Sequence, residues 1–217
     1  DHWPPVPTKP TQFYFHSDRS LAATASANDA PPITYTYDPK DPVPTVGGPQ
    51  LTLPAGPMDQ RKIEGRADVL VFTSEPLPES LEVIGNVRVK LWASSDAPDT
   101  DFFAKVCDVY PDGRSFNICE GILRARFRQS FTREKLLKPD KVYPLEIDLW
   151  STSIVFNRDH RLRVHITSSC APGYDPNPNT GGQFRASDKT RVAHNAIYLD
   201  RVRASHVLLP VAAKENR

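Results

Sequence analysis

The sequence predicts an all-β domain on three observations. Apolar and polar residues alternate in several runs, such as Leu162, Val164 and Ile166 with Arg161, Arg163 and His165. Val87, Val89, Leu91 and Ala93 alternate with Arg88, Lys90 and Trp92; Leu145, Ile147 and Leu149 do so with Glu146, Asp148 and Trp150. A period of two gives a strand one core face and one outer face. Second, nothing comparable repeats at a helical period. Third, the chain has 22 prolines in 217 residues. They cluster at 4–10, 31–57 and 172–178, where they read as loops, because proline cannot donate to a sheet ladder. Amphipathic strands without helices bury their faces sheet on sheet, and one β-sandwich of this length is common.

Thr11 to His16 and Ile33 to Tyr37 read as the first strands. The stretch from Tyr37 to Gln60 is rich in Pro and Gly and reads as a long loop, a kind usually reserved for function or interfaces. Val69 to Phe72 is a short apolar strand and Leu81 to Ala93 a long one. Phe102 to Tyr110 and Phe116 to Phe127 form a hairpin. Thr132 to Lys138 has room for one helical turn. Val142 to Leu149, Ile154 to Phe156 and Arg161 to Ser168 follow as strands. After a loop from Pro172 to Gln183, Ala193 to Leu199 and His206 to Pro210 complete the domain.

Asp112-Gly113 suits a two-residue type I′ turn. That register sets Val109 against Phe116, Cys107 against Ile118, Lys105 against Glu120 and Phe103 against Ile122. It matches apolar with apolar and charge with counter-charge. Cys107 and Cys119 then point to opposite faces. With Cys170 they make an odd count, which favours free, buried thiols. A slip of one residue brings Cys107 and Cys119 together, so a bridge stays open.

The balance of 27 basic and 26 acidic residues, net +1, argues against nucleic acid, which needs a strong basic excess on one face. No apolar run approaches the roughly 20 residues that span a bilayer, so no membrane partner is expected. The opening Asp1-His2-Trp3-Pro4-Pro5 reads as the middle of a longer protein.

No Gly-x-Ser-x-Gly elbow occurs. The six histidines are scattered without zinc-ligand spacing. His165 reads as a solvated outer-face residue and His206 as a hydrogen-bonded residue at a strand start. Asp96, Asp99 and Asp101 are weak candidates for a hard cation such as calcium, against their reading as turn formers. Tyr35, Tyr37, Trp3, Trp92 and Trp150 raise a sugar-stacking face, against core or interface packing.

Tyr35-Thr36-Tyr37-Asp38-Pro39-Lys40-Asp41-Pro42-Val43-Pro44-Thr45-Val46-Gly47-Gly48 closely resembles a signature of the cocaine esterase-like (CocE/NonD) hydrolases. These include X-Pro dipeptidyl-peptidases, α-amino acid ester hydrolases and glutaryl 7-aminocephalosporanic acid acylases. Further similar strings follow in family order: 66–74, 81–85, 89–101, Asp108 to Gly113, Gly121 to Arg126, and Tyr174-Asp175-Pro176-Asn177-Pro178-Asn179-Thr180-Gly181. Trp3-Pro4-Pro5 resembles the family's interdomain linker, placed at 1–10.

The resemblance implies a single jelly-roll sandwich of the galactose-binding-domain-like kind over 1–217, non-catalytic and without a cofactor. It implies an upstream α/β-hydrolase domain that carries the Ser-His-Asp triad and is this domain's partner. Homo-oligomer formation stays open. It also implies a pocket wall or domain interface at Val71, Phe72, Tyr37, Asp38, Asp41, Tyr174, Asn177 and Asn179, with the apolar pair of the acyl pocket placed in Leu70-Val71-Phe72, against plain core packing of that strand. The rival expectation is a free-standing carbohydrate-binding module, which would show an open aromatic groove.

Overall fold

The computed structural model describes residues 2–51, 53–183 and 185–213. Eleven strands follow one another: β1 (Thr8–Phe15), β2 (Ser20–Ala22), β3 (Ile33–Tyr37), β4 (Leu70–Ser74), β5 (Leu81–Ser95), β6 (Asp101–Val109), β7 (Ser115–Arg124), β8 (Tyr143–Phe156), β9 (Arg161–Thr167), β10 (Ala193–Tyr198) and β11 (His206–Ala212). One short helix, α1 (Arg61–Glu64), closes the long loop. β2 and α1 were not legible in the sequence, since three or four residues carry no period. The turn expected at 132–138 is not helical; a 3-10 turn lies instead at Ala125–Phe127.

The strands hydrogen-bond in the order β3-β10-β5-β11-β1-β2-β4-β9-β6-β7, and β8 pairs with the other side of β5. All pairs are antiparallel except β2 with β4. β1 starts at Thr8, opposite Ala212, inside the segment expected as linker. Both limbs of this sheet feed one core. Leu162, Val164 and Ile166 of β9 join Val87, Val89 and Leu91 of β5 and Leu145, Ile147 and Leu149 of β8. The alternation therefore located the core face correctly.

The hairpin differs from expectation in an instructive way. Tyr110 pairs with Arg114 around a three-residue loop, with Gly113 at φ 86°. That is a type I turn followed by a left-handed glycine. The ladder then pairs Cys107 with Asn117, and a bulge at Ile118 restores Val106 with Cys119 and Lys105 with Glu120. The loop and the bulge offset one another, so the expected register holds from Lys105 to Phe103 and is off by one above it. The three thiols are free.

The two segments expected at 142–149 and 154–156 form one strand, β8, broken by a bulge. Asn86 pairs with Ser151 and Arg88 with Asp148, and between them Trp150 adopts φ 65°. The carboxylate of Asp148 accepts from the Trp150 backbone N–H at 2.8 Å and from Asn86 Nδ2 at 2.7 Å. β7 crosses close to this bulge. A Cβ on Gly121 would stand 1.9 Å from the Asp148 carbonyl oxygen, so only glycine fits.

Candidate functional site

The long loop does not hang free. Its backbone bridges to 171, with Thr45 N donating to Ala171 O at 2.8 Å and Ala171 N to Val43 O at 2.9 Å. Val43, Ile63 and Val69 form a small second core beneath it, against which Val46 and Val71 pack. The loop roofs the outer face of β9, β6 and β7, the face that alternation assigned to water.

Under this roof lies a buried polar row. Lys105 and Glu120 form an ion pair at 3.3 Å with both side chains almost wholly inaccessible. Gln60 is wholly buried. Its Oε1 accepts from Lys105 Nζ at 2.8 Å, and its Nε2 donates to the carbonyls of Val46 and Met58. Gln60 thus ties the loop to the sheet. Gly48, at φ 90°, lies over the carboxylate; a Cβ there would come within 2.9 Å of Glu120 Oε1. Burial pushes Glu120 upward, against the lowering effect of Lys105.

His165 is buried, not solvated as expected. Burial holds it below the ordinary imidazole range, and because Glu64 is an ionised acceptor, Nε2 donates to its Oε1 at 3.0 Å. Arg163 donates to Glu64 Oε2 at 2.7 Å. Burial alone would raise Glu64, but its partners His165 and Arg163 hold it down at about 2. No sequence signal marks this burial, because the covering residue Glu64 folds back from 101 positions away in the chain. His206 accords with its reading, with Nδ1 2.8 Å from the Ala204 carbonyl.

Beside the buried row opens a cavity of about 500 Å³. Its walls are loop residues Pro49 and Pro57, β7 residues Ile118 and Cys119, Leu149 and Trp150 at the β8 bulge, and Tyr174. Tyr174 also borders a second hollow with Ile122, Phe127 and Phe131. Large apolar side chains stand exposed at these hollows, Trp150 at 74% beside the first and Phe131 at 87% beside the second, with Tyr174 bordering both. The result is an apolar strip across one side of the domain.

The expected site residues divide between surface and interior. Val71, Asp38 and Tyr174 are partly accessible and Asp41 is exposed. Asp38 caps its own turn through Lys40 N, Arg66 reaches Asp41 at 3.2 Å, and Tyr174 joins the strip. Phe72 is wholly buried and stacked on Phe15, ring centres 4.6 Å apart. That position excludes it from a pocket wall: its alternation partner Val71 faces the loop, and Phe72 faces the core. Tyr37, Asn177 and Asn179 are likewise interior. Asn177 donates to Asp99 and Asp101 at 2.8 and 2.7 Å, and Tyr37 donates to the Asn177 carbonyl at 3.2 Å. They hold the 174–182 loop in place and offer no surface to a partner.

The aspartates weighed for calcium are engaged otherwise. Arg126 binds Asp99 at 2.8 Å, Arg124 binds Asp101 through two 3.0 Å bonds, and Arg191 binds Asp96 at 3.1 Å. No three metal-binding side chains converge among the described residues. The aromatics form no common groove: Tyr35 and Tyr37 are buried, Trp92 pairs with Tyr198 and Pro144, and Trp150 borders the cavity. Beside the His165–Glu64 pair, a second histidine–carboxylate pair stands among the described residues, His160 Nδ1 to Asp108 at 2.9 Å. Among the described residues, no serine or cysteine side chain bonds to that histidine, so the pair lacks the nucleophile a triad requires.

The described residues form an all-β domain with an apolar strip on its surface. The chain belongs to the family of X-Pro dipeptidyl-peptidase C-terminal non-catalytic domains, which it matches over residues 1–208. It is 42% identical over 196 residues to cocaine esterase of Rhodococcus sp. (strain MB1 Bresler), covering 88% of this chain and 33% of that protein. An aminopeptidase from a marine sediment archaeon of the Thaumarchaeota superposes with TM-score 0.89 at 30% identity, over 98% of this chain and 38% of that one. An α-amino acid ester hydrolase superposes with TM-score 0.85 at 30% identity, over 93% and 36%. The chain spans about a third of the length of the curated relatives it matches.

Proposed function

We propose that this domain docks on the α/β-hydrolase domain of a serine hydrolase, as part of the same polypeptide, and helps shape its substrate pocket. The parent would cleave esters, amides or X-Pro peptides; the relatives' names describe the esters and the X-Pro peptides. The fold that serves this role is a jelly roll of the galactose-binding-like kind. Supporting that reading, sheet neighbours are far apart in sequence, as in β10-β5-β11-β1, and such crossovers build double-sheet jelly rolls.

The observation that carries the docking role is the apolar strip at Trp150, Tyr174 and Phe131. Interfaces between domains of one chain commonly bury 600–1,500 Å² or so, and a strip flanked by two such hollows provides the material. The proline-rich loop lowers the entropy lost on docking. Asp38 and Asp41 line a separate hollow with Arg66, Val71 packs on the small second core, and these three would meet the partner only at its edge.

Deleting the domain from the full-length protein tests this. Serine-hydrolase activity should then decay faster on heating and KM should rise. A truncated enzyme with unchanged kcat/KM and unchanged thermal half-life would overturn the proposal.

A further inference from the structure

Trp150 combines three properties that ordinary stability does not favour. It is 74% exposed. Its backbone is left-handed at φ 65°, a conformation that is a genuine outlier for a bulky side chain. It sits at the β8 bulge, and bulges re-aim side chains near functional surfaces. The surrounding structure enforces this geometry. Asp148 and Asn86 hold the bulge, and the absence of a side chain at Gly121 lets β7 close beneath it. Glycine or asparagine would suit the backbone better, so strain kept at an exposed indole points to a use for the ring.

The ring borders the 500 Å³ cavity whose other walls include Pro49, Pro57, Ile118 and Leu149. A tryptophan beside an apolar hollow has the form of an interface anchor, the residue type that dominates binding energy when water is excluded around it.

We propose that Trp150 is the principal anchor by which this domain grips its catalytic domain, with the adjoining cavity receiving an aliphatic or aromatic side chain from that domain. The inference rests on the docking role proposed above. The occupant follows from the lengths of the relatives: about two thirds of each lies outside the matched region, and the apolar strip continues from the cavity through Tyr174 to the hollow at Phe131.

The test uses the full-length protein and two variants, Trp150→Gly and Trp150→Asn, both at ease with left-handed backbone. Amide hydrogen exchange is read in peptides 48–57 and 117–120, with strands β5 and β9 as the internal control. In both variants, exchange at 48–57 and 117–120 should rise about tenfold while β5 and β9 stay unchanged. Unchanged protection in a particle that still scatters X-rays as one compact body would overturn the anchor and leave docking intact. Loosening in the glycine variant alone would also overturn it, since backbone freedom and not the ring would be responsible. Protection that falls on dilution would assign the face to a second copy and overturn it too. A wild-type protein scattering as two independently moving bodies would sink the docking role itself.

Discussion

Lys105 and Glu120 face one another across β6 and β7, 3.3 Å apart and sealed beneath the 38–60 loop. Their pairing was legible in the sequence; their burial was not. Removing one member of a buried ion pair leaves an uncompensated charge, which costs about 3–5 kcal/mol. Lys105→Met should therefore destabilise the domain by that amount, and also strip Gln60 Oε1 of its donor. Adding Glu120→Leu should recover part of the loss, because the apolar pair carries no stranded charge. Urea unfolding of the single and double variants checks this; a double variant less stable than Lys105→Met would contradict it.

Phe72 stacks on Phe15 in the main core. Phe72→Ala should act on folding, costing about 3–5 kcal/mol, and not selectively on substrate affinity. Thermal unfolding of the full-length protein, followed through a signal from this domain, should show the domain melting earlier. A variant of unchanged stability with an altered KM would restore Phe72 to the pocket wall.

Glu64 gives the domain an acid limb. Its folded pKa of about 2 lies below the roughly 4.3 of an unfolded glutamate. A carboxylate depressed in this way stabilises the fold above its unfolded pKa and loses that contribution as pH falls toward its folded pKa. Wild-type stability should fall between about pH 4.5 and 2 by on the order of 1–2 kcal/mol from this group, since solvent screens a partly exposed pair. Glu64→Gln should be less stable at pH 7 and flatter across that window. Urea midpoints at pH 7, 5, 4 and 3 measure it; parallel curves for the two proteins would refute the assignment.

The core face was legible because a period of two survives whatever covers the other side of the sheet. Leu162, Val164 and Ile166 are inside as expected, but Arg163 and His165 are covered as well. Charge on the outer face reads as solvent exposure, and only the fold-back of the 38–60 loop reverses that. The hairpin register was half legible: Asp112-Gly113 marked the turn, while the compensating bulge at Ile118 left no local sign. In the site, the loops at 38–60 and 174–182 were found from their prolines and motifs. Which of their residues face inward was not, since Asn177 and Tyr37 turn in to satisfy Asp99, Asp101 and each other. Trp150 reads in the sequence as an outer-face aromatic of an alternating strand; its left-handed backbone belongs to the bulge, which no pattern in the strand announces.

The central claim is that this chain contributes surface to a hydrolase and holds no active site of its own. The full-length protein and the 217-residue chain should be assayed side by side on an activated aryl ester and an X-Pro anilide. The full-length protein should turn over at least one of them, with inhibition by a serine-directed reagent, and the chain alone should turn over neither. Saturable turnover by the chain alone, abolished by that reagent, would contradict the account.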